Sequence, residues 1–200
     1  MKTPIQKRAI ATRAKLIDAA NKAIAAKGYG ALRVEDVVQR AGVAKGTFFA
    51  HFRDKDALMD IIIGNEIDRF LDQLDATPPP GSVEALIDRL TPLTQFMTHE
   101  RYVFDVILRH SGAAASEEVG PIAKTFERYI MVLAPWLATA SFRKDVDPWL
   151  LAEGVQALGI QCMALHFCAI HKEEPMRERM NRYFSAWLCP STCTKEKTRH

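Results

Sequence analysis

The stretch Lys45-Gly-Thr-Phe-Phe-Ala-His-Phe-Arg53 carries a cation at each end, a hydroxyl and an imidazole between them, and no acidic side chain. Residues of these types suit recognition of a polyanion. Lys45 supplies charge, Gly46 lets the backbone approach closely and donate its N–H to a phosphate, and Thr47 offers a hydroxyl to a phosphate or base edge and a methyl to thymine. Elsewhere the chain shows no P-loop, no G-x-G-x-x-G after a strand, no H-E-x-x-H and no G-x-S-x-G, so the motifs of the common enzyme classes are missing and an enzyme is not expected.

The elements that must hold this stretch can be read from its flanks. Val34, Val37, Val38 and Ala41 fall on one face of a two-turn helix, Gly42 permits a sharp turn, and Val43 is an apolar plug for the corner. Phe48 and Phe52, four apart, share one face of a second short helix and can pack back on the first. Lys45, Gly46, Thr47, Phe49 and His51 are then left facing outward. Two short helices joined in this way predict a helix-turn-helix over about residues 33–52, whose second helix enters the major groove of duplex DNA. Charge distribution agrees with that reading. Residues 1–60 hold twelve Lys and Arg against six Asp and Glu, whereas residues 61–200 hold fifteen against eighteen. A basic end on a mildly acidic body is what phosphate neutralisation with counterion release would favour.

These residues also resemble a family. Arg13-Ala-Lys-Leu-Ile-Asp-Ala-Ala, Lys27-Gly28-Tyr29, Val34-Glu-Asp-Val, and Ala41-Gly42-Val43 running on through Lys45-Gly46-Thr47, His51-Phe52 and Lys55 to Leu58 are similar to the N-terminal domain of the tetracycline-repressor-like (TetR) transcriptional regulators. The likeness spans about residues 8–66 without a gap; beyond residue 70 it is architectural only. It implies that Lys45, Gly46, Thr47 and His51 lie on or beside DNA, with Lys55 at the start of the fourth helix reaching a phosphate. Three positions depart from the family pattern. Arg33 and Ala44 stand where small polar residues cap the two short helices, and Phe49 replaces a tyrosine whose hydroxyl meets a phosphate. A lost cap costs about 1 kcal/mol, and the Arg33 guanidinium can restore a phosphate contact. Lys2, Lys7 and Arg8 could form an arm that reaches the minor groove.

With 48% apolar and 26% charged residues the chain has the composition of a globular protein. Helical spacing recurs throughout and no run alternates with period two, which predicts an all-α fold of about nine helices. Helices are expected over 6–27, two short segments, 55–74, 83–98, 100–113, 117–140 with a kink at Pro135, 148–171 and 175–188. The first has an apolar stripe of Ile10, Leu16, Ile17, Ala20 and Ile24. Pro78-Pro79-Pro80 ends the fourth helix and Ser82 caps the next. The expected domains are a DNA-binding unit over 8–66, a helical regulatory, ligand-binding and dimerisation unit over 67–190, and a polar tail over 191–200.

Ala157 to Ile170 is apolar nearly all round and must be covered on more than one side. The family likeness implies that the helices over about 148–171 and 175–188 pair with their copies in a homodimer, which sets two recognition helices one DNA turn apart and predicts a palindromic operator. The same likeness implies a repressor released by a small hydrophobic or amphipathic ligand, with no cofactor. Phe96, Met97, Tyr102, Phe104 and Ile107 supply large soft side chains for its pocket, as do Phe126, Met131, Trp136, Trp149, Met163 and His166. A rival reading makes the protein a metal- or thiol-responsive regulator through Cys162 and His166, four apart, with Cys168 and His171 nearby; a third makes it a helical interaction protein with a nonspecific basic end. The opening MKTPIQKRAIATRAKL lacks a signal-peptide core, so Cys162, Cys168, Cys189 and Cys193 are read as cytosolic thiols and the protein as cytoplasmic. Trp149 to Ile170 approaches membrane-spanning length, but Glu153, Gln156, Gln161 and His166 interrupt it and favour a buried helix.

Overall fold

A computed structural model describes residues 3–111, 119–139, 141–168, 170 and 173–189. Among these residues the fold is all-α, with no strand and nine helices. They divide into two compact units, one made of residues 1–69 and 96–126, the other of 70–95 and 127–200. The expectations that fall on Lys2, Ala113, Glu117, Ala140, His171, Cys193 and the 191–200 tail lie outside the described residues.

In the first unit, α1 (Pro4–Lys27) opens on a reciprocal cap: the Gln6 amide donates to Thr3 Oγ1 (3.3 Å) and the Thr3 amide to Gln6 Oε1 (2.9 Å), with Pro4 at the first helical position. Leu16, Ala19, Ala20 and Ala23 form its buried stripe. Ile17 is half-buried, whereas Ile10 is 48% exposed, so the stripe starts one and a half turns later than expected. Gly28 (φ 85°) ends the helix, donating to the Ile24 carbonyl at 2.7 Å. Then come α2 (Val34–Ala41), α3 (Lys45–Phe49) and α4 (Lys55–Asp75), with α2 packed on both α1 and α3. After α5 (Val83–Met97), α6 (Arg101–His110) buries Val103, Phe104, Val106 and Ile107. Polar bonds tie residues 96–126 to the N-terminal part. Asp60, nearly buried, accepts the Ile122 amide at 3.0 Å, and the Tyr102 hydroxyl donates to Asp56 Oδ1 at 3.2 Å.

In the second unit, α5 is capped by Ser82, whose Oγ accepts the Ala85 amide at 3.2 Å. Helices α7 (Pro121–Leu137), α8 (Pro148–His166) and α9 (Met176–Leu188) follow. Pro135 sits inside α7. Asp147 caps α8 by accepting the amides of Trp149 and Leu150. The helix ends at His166 rather than near residue 171 because the last amides turn to 3₁₀ bonds, Phe167 to Ala164 and Cys168 to Leu165. Leu151, Val155, Gly159 and Cys162 of α8 face Met180, Phe184 and Leu188 of α9, and all seven are buried. No helix among the described residues is long and apolar enough to cross a membrane.

Candidate nucleic-acid interface

The turn between α2 and α3 is built by Gly42. Its φ of 62° and ψ of 42° are left-handed, a conformation that costs other residues about 1–2 kcal/mol. With it in place the Val43 amide reaches back to the Val38 carbonyl (3.0 Å) and the Gly42 amide to Gln39 (3.2 Å), closing the end of α2 as a Schellman motif. Phe48 and Phe52 are buried with ring centroids 5.3 Å apart, and the Arg13 guanidinium covers Phe52 at 5.2 Å. These contacts fix which side of α3 turns inward. Lys45, Gly46 and Phe49 are exposed, Phe49 with half of its surface in solvent and its ring edge-on to Phe48; Thr47 and His51 are half-buried.

Gly46 meets nothing within 4 Å of where a β-carbon would stand, so no neighbour in this chain requires a glycine there. Alanine would suit the helix better by about 0.5–1 kcal/mol.

Acidic side chains from outside residues 45–53, with Asp54 directly after them, reach this surface from its borders. Glu35 of α2 pairs with the Lys45 ammonium at 2.6 Å, and both are exposed. That hydrogen bond is the leading reason the Glu35 carboxyl is held below its ordinary pKa. Asp36 accepts the Arg33 amide at 2.9 Å and pairs with Lys27; the Lys27 bond is the main cause of its lowered pKa. Arg33 thus begins α2 with no side-chain cap of its own, and Asp36 supplies only the other half of a capping box by accepting the Arg33 amide. Ala44 likewise gives α3 no side-chain cap. Asp54 caps α4: its Oδ1 accepts the Ala57 amide at 2.7 Å, which lowers its pKa, and its Oδ2 lies 3.0 Å from Arg53 Nε. An aspartate directly before a helix start is a readable cap signal, and the sequence carried it.

Lys55 stands at the first position of α4, but its ammonium is engaged within the protein. It donates to the Leu32 carbonyl at 3.2 Å and lies 4.3 Å from the centre of the Tyr102 ring; burial, foremost, lowers its pKa. Tyr102 had been expected in a ligand pocket, and Glu100 had no expected role. Nothing local in the sequence marks either of them as a neighbour of residues 28–55. A shallow, open depression of about 350 Å³ lies beside this surface, lined by Ala23, Ala26, Lys27, Asp36, Gln39 and Arg40.

The residues expected to line a ligand pocket divide between the two units. Phe96, Met97, Tyr102, Phe104, Ile107 and Phe126 belong to the first unit, and Met131, Trp136, Trp149, Met163 and His166 to the second. Met97, Phe104, Ile107, Trp136 and Met163 are buried, Phe96 is half-buried edge-on to Tyr29, and Phe126 is half-buried. Met131 is 55% and Trp149 52% exposed, and His166 is exposed beside Phe167. Trp149 opens α8 one residue after Pro148, ahead of the first buried turn at Leu151. Cys162 is buried, which pushes its thiol up to about 11, while His166 is exposed, so the two point to different environments. Among the described residues no three His, Cys, Asp or Glu side chains are placed to hold a metal.

Residues 16–61 match the family model described as bacterial regulatory proteins, tetR family. YvdT of Bacillus subtilis (strain 168), described as an uncharacterized HTH-type transcriptional regulator, is 29% identical over 116 residues, 58% of this chain and 59% of that protein. The chain spans only 54% of a second such regulator of that organism, YuxN, so it matches between half and two thirds of both relatives. Among solved structures, a SmeT–triclosan complex superposes with a TM-score of 0.58 at 19% identity, covering 90% of this chain and 93% of that one. FadR of Bacillus subtilis in complex with stearoyl-CoA superposes with a TM-score of 0.58 at 15% identity, covering 87% and 96%. At such identities the likeness establishes the fold.

Proposed function

The chain belongs to the tetR family of bacterial regulatory proteins, and from that premise we propose that it is a sequence-specific transcriptional regulator, a repressor that binds duplex DNA through α2 and α3 and is released by a small ligand. The observation that carries this reading is the outward face of α3. Five residues braced from behind by Phe48 and Phe52 present Lys45, Gly46, Thr47 and Phe49 in succession, with a glycine that nothing in the chain requires. A glycine there lets a phosphate or base edge come close to the backbone. Phe49 offers its exposed ring to thymine methyls or sugars, and His51 and Arg33 border the same surface.

The proposed division assigns residues 8–66 to DNA binding and 67–190 to regulation and self-association. Homodimerisation through about 148–171 and 175–188 is supported by the apolar surface of α8, where Trp149 and Leu150 are half exposed, and it calls for a palindromic operator with half-sites one turn apart. The ligand is proposed to be hydrophobic or amphipathic. Triclosan and stearoyl-CoA occupy two proteins of the same fold, and the second unit of this chain buries large soft side chains, Trp136 and Met163 among them, that suit such a ligand. Such a ligand works by favouring a conformation in which the recognition helices no longer match successive grooves.

Binding of operator and mixed-sequence duplexes across a salt series tests the assignment. Lys55→Ala should weaken binding to every sequence and shallow the slope of log K against log salt by about one, whereas Thr47→Ala should chiefly erode sequence preference, by about 1–3 kcal/mol. Equal losses from both variants on mixed-sequence DNA would replace the regulator with a nonspecific basic protein.

A further inference from the structure

We infer that Tyr102, in the first turn of α6, is a positioning residue for DNA binding, its ring holding the Lys55 ammonium ready at the edge of the recognition module. The inference rests on the regulator reading and adds to it a residue from outside the helix-turn-helix.

Lys55 is flexible in principle, yet two contacts hold it. Its Nζ donates to the Leu32 carbonyl at 3.2 Å, just ahead of α2, and lies 4.3 Å from the centre of the Tyr102 ring. The ring face attracts the cation through its quadrupole. An ammonium has three N–H donors; one goes to Leu32 and the ring covers one side, and on this proposal a donor that remains meets the phosphate. A free lysine would surrender most of its rotamer entropy on meeting a phosphate. Here that ordering has already taken place in the DNA-free protein. Burial also lowers the lysine's pKa, the direction expected of an amine that has shed part of its water.

The ring is itself fixed at both ends. Its hydroxyl donates to Asp56 Oδ1 at 3.2 Å, and Asp56 Oδ2 is held at 3.0 Å by Arg109, two turns further along the same face of α6. Two residues before the tyrosine, the Glu100 carboxylate accepts the amides of Tyr29 (2.8 Å) and Gly30 (2.9 Å), clamping the start of α6 to the turn that follows α1. The fit is close at Gly28, where a β-carbon would come within 2.7 Å of Glu100 Oε1. Glu100 and Asp56 thereby set the height and tilt of the ring, and the ring sets the ammonium. A tyrosine that merely packed α6 against α4 would need neither the cation over its face nor the hydroxyl bond to the residue beside that cation.

The experiment uses the full chain and a mixed-sequence duplex of about three helical turns, so that no operator need be known, with binding followed by fluorescence anisotropy at several salt concentrations. Tyr102→Leu should weaken binding about three- to tenfold and shallow the salt slope by up to about one, while Tyr102→Phe, which keeps the ring over the ammonium and loses only the hydroxyl bond to Asp56, should lose less than the leucine variant does. Lys55→Ala combined with Tyr102→Leu should be no weaker than Lys55→Ala alone, because both act through one ammonium. A purely structural role would leave the salt slope unchanged and would add to the lysine loss; either result overturns the inference, as would tighter binding by Tyr102→Leu. Tyr102→Met, closer in length, gives the same readouts if the leucine variant does not fold. A parent protein that fails to bind duplex DNA at all would instead remove the regulator reading on which this one stands.

Discussion

Gly154 lies in the middle of α8, where helix propensity alone favours alanine by about 1 kcal/mol. Packing reverses that sign. A β-carbon on Gly154 would fall well inside van der Waals distance of Nε1 and Cε2 of Trp187 on α9, and the same Nε1 donates to the Leu151 carbonyl at 3.0 Å. To admit a methyl the indole must move. Overpacking of this kind costs about 1–3 kcal/mol, and weakening the indole bond costs about 0.5–1.5 kcal/mol. Setting the propensity gain against both leaves Gly154→Ala less stable by about 0.5–3.5 kcal/mol, centred near 2. Urea unfolding followed by far-UV circular dichroism measures it, at one protein concentration because self-association would shift the midpoint. With a slope of about 2 kcal/mol/M the midpoint should fall by roughly 1 M. A midpoint at or above the parent's would refute the packing argument. The cause is isolated in a Trp187→Leu background: there the same Gly154→Ala change should stabilise, and an equal loss in both backgrounds would clear the indole of responsibility.

Two further outcomes follow from groups in the second unit. Hydrogen bonds from Arg182 first, and from Arg179, hold the Glu174 carboxyl below its ordinary pKa. A depressed carboxylate contributes stability that is fully present above its unfolded value and is lost as pH falls through the folded one. The parent's urea midpoint should therefore drop on acidification from about pH 5, and Glu174→Gln should start lower at neutral pH and fall less; parallel curves for the two proteins would contradict this. Cys162, buried with its thiol pushed up to about 11, should resist iodoacetamide in the native protein at about pH 8, whereas exposed Cys189 reacts readily. Peptide mass spectrometry reads both sites, and equal labelling before denaturation would revive the thiol-switch reading.

The local parts of this architecture were legible because their causes are local. Gly42 followed by Val43 announces a left-handed turn, the spacing of Phe48 and Phe52 announces an inward face, and the three prolines at 78–80 with Ser82 announce a break and a new cap; each of these is a relation among residues a few positions apart. Helix ends were less legible where no capping residue marks them, as at His166, where the chain tightens into local 3₁₀ bonds within an apolar run. Least legible were the polar ties between residues about 45 to 70 positions apart. Glu100 on Tyr29 and Gly30, Tyr102 on Asp56 and Asp60 on Ile122 leave no periodicity behind. The large aromatic side chains illustrate the same limit. Composition offers Tyr102 and Trp149 alike as pocket-lining material and does not distinguish their surroundings, one half-buried under a lysine and the other half exposed at the start of α8.

Charge counting met a related difficulty, and its resolution bears on how the protein binds. The excess of cations in the first sixty residues suggests a freely basic face, but Lys27, Lys45 and Arg53 each meet a carboxylate from a flanking position: Asp36, Glu35 and Asp54. Exposed pairs of this kind are worth no more than about 1 kcal/mol, so they do not lock the cations away. A phosphate offers a stronger, charge-assisted acceptor and releases counterions as it binds. If Lys45 meets a phosphate as proposed, exchanging Glu35 for it is favourable, but by less than an unpaired lysine would gain. In the proposed interface the pairs discount the phosphate contacts of Lys27, Lys45 and Arg53 on any duplex, while Gly46, Thr47 and Phe49, which carry no charge, are not discounted. On that proposal the border carboxylates lower the hold on any duplex, so that the uncharged groups of α3 carry a larger share of the binding that remains.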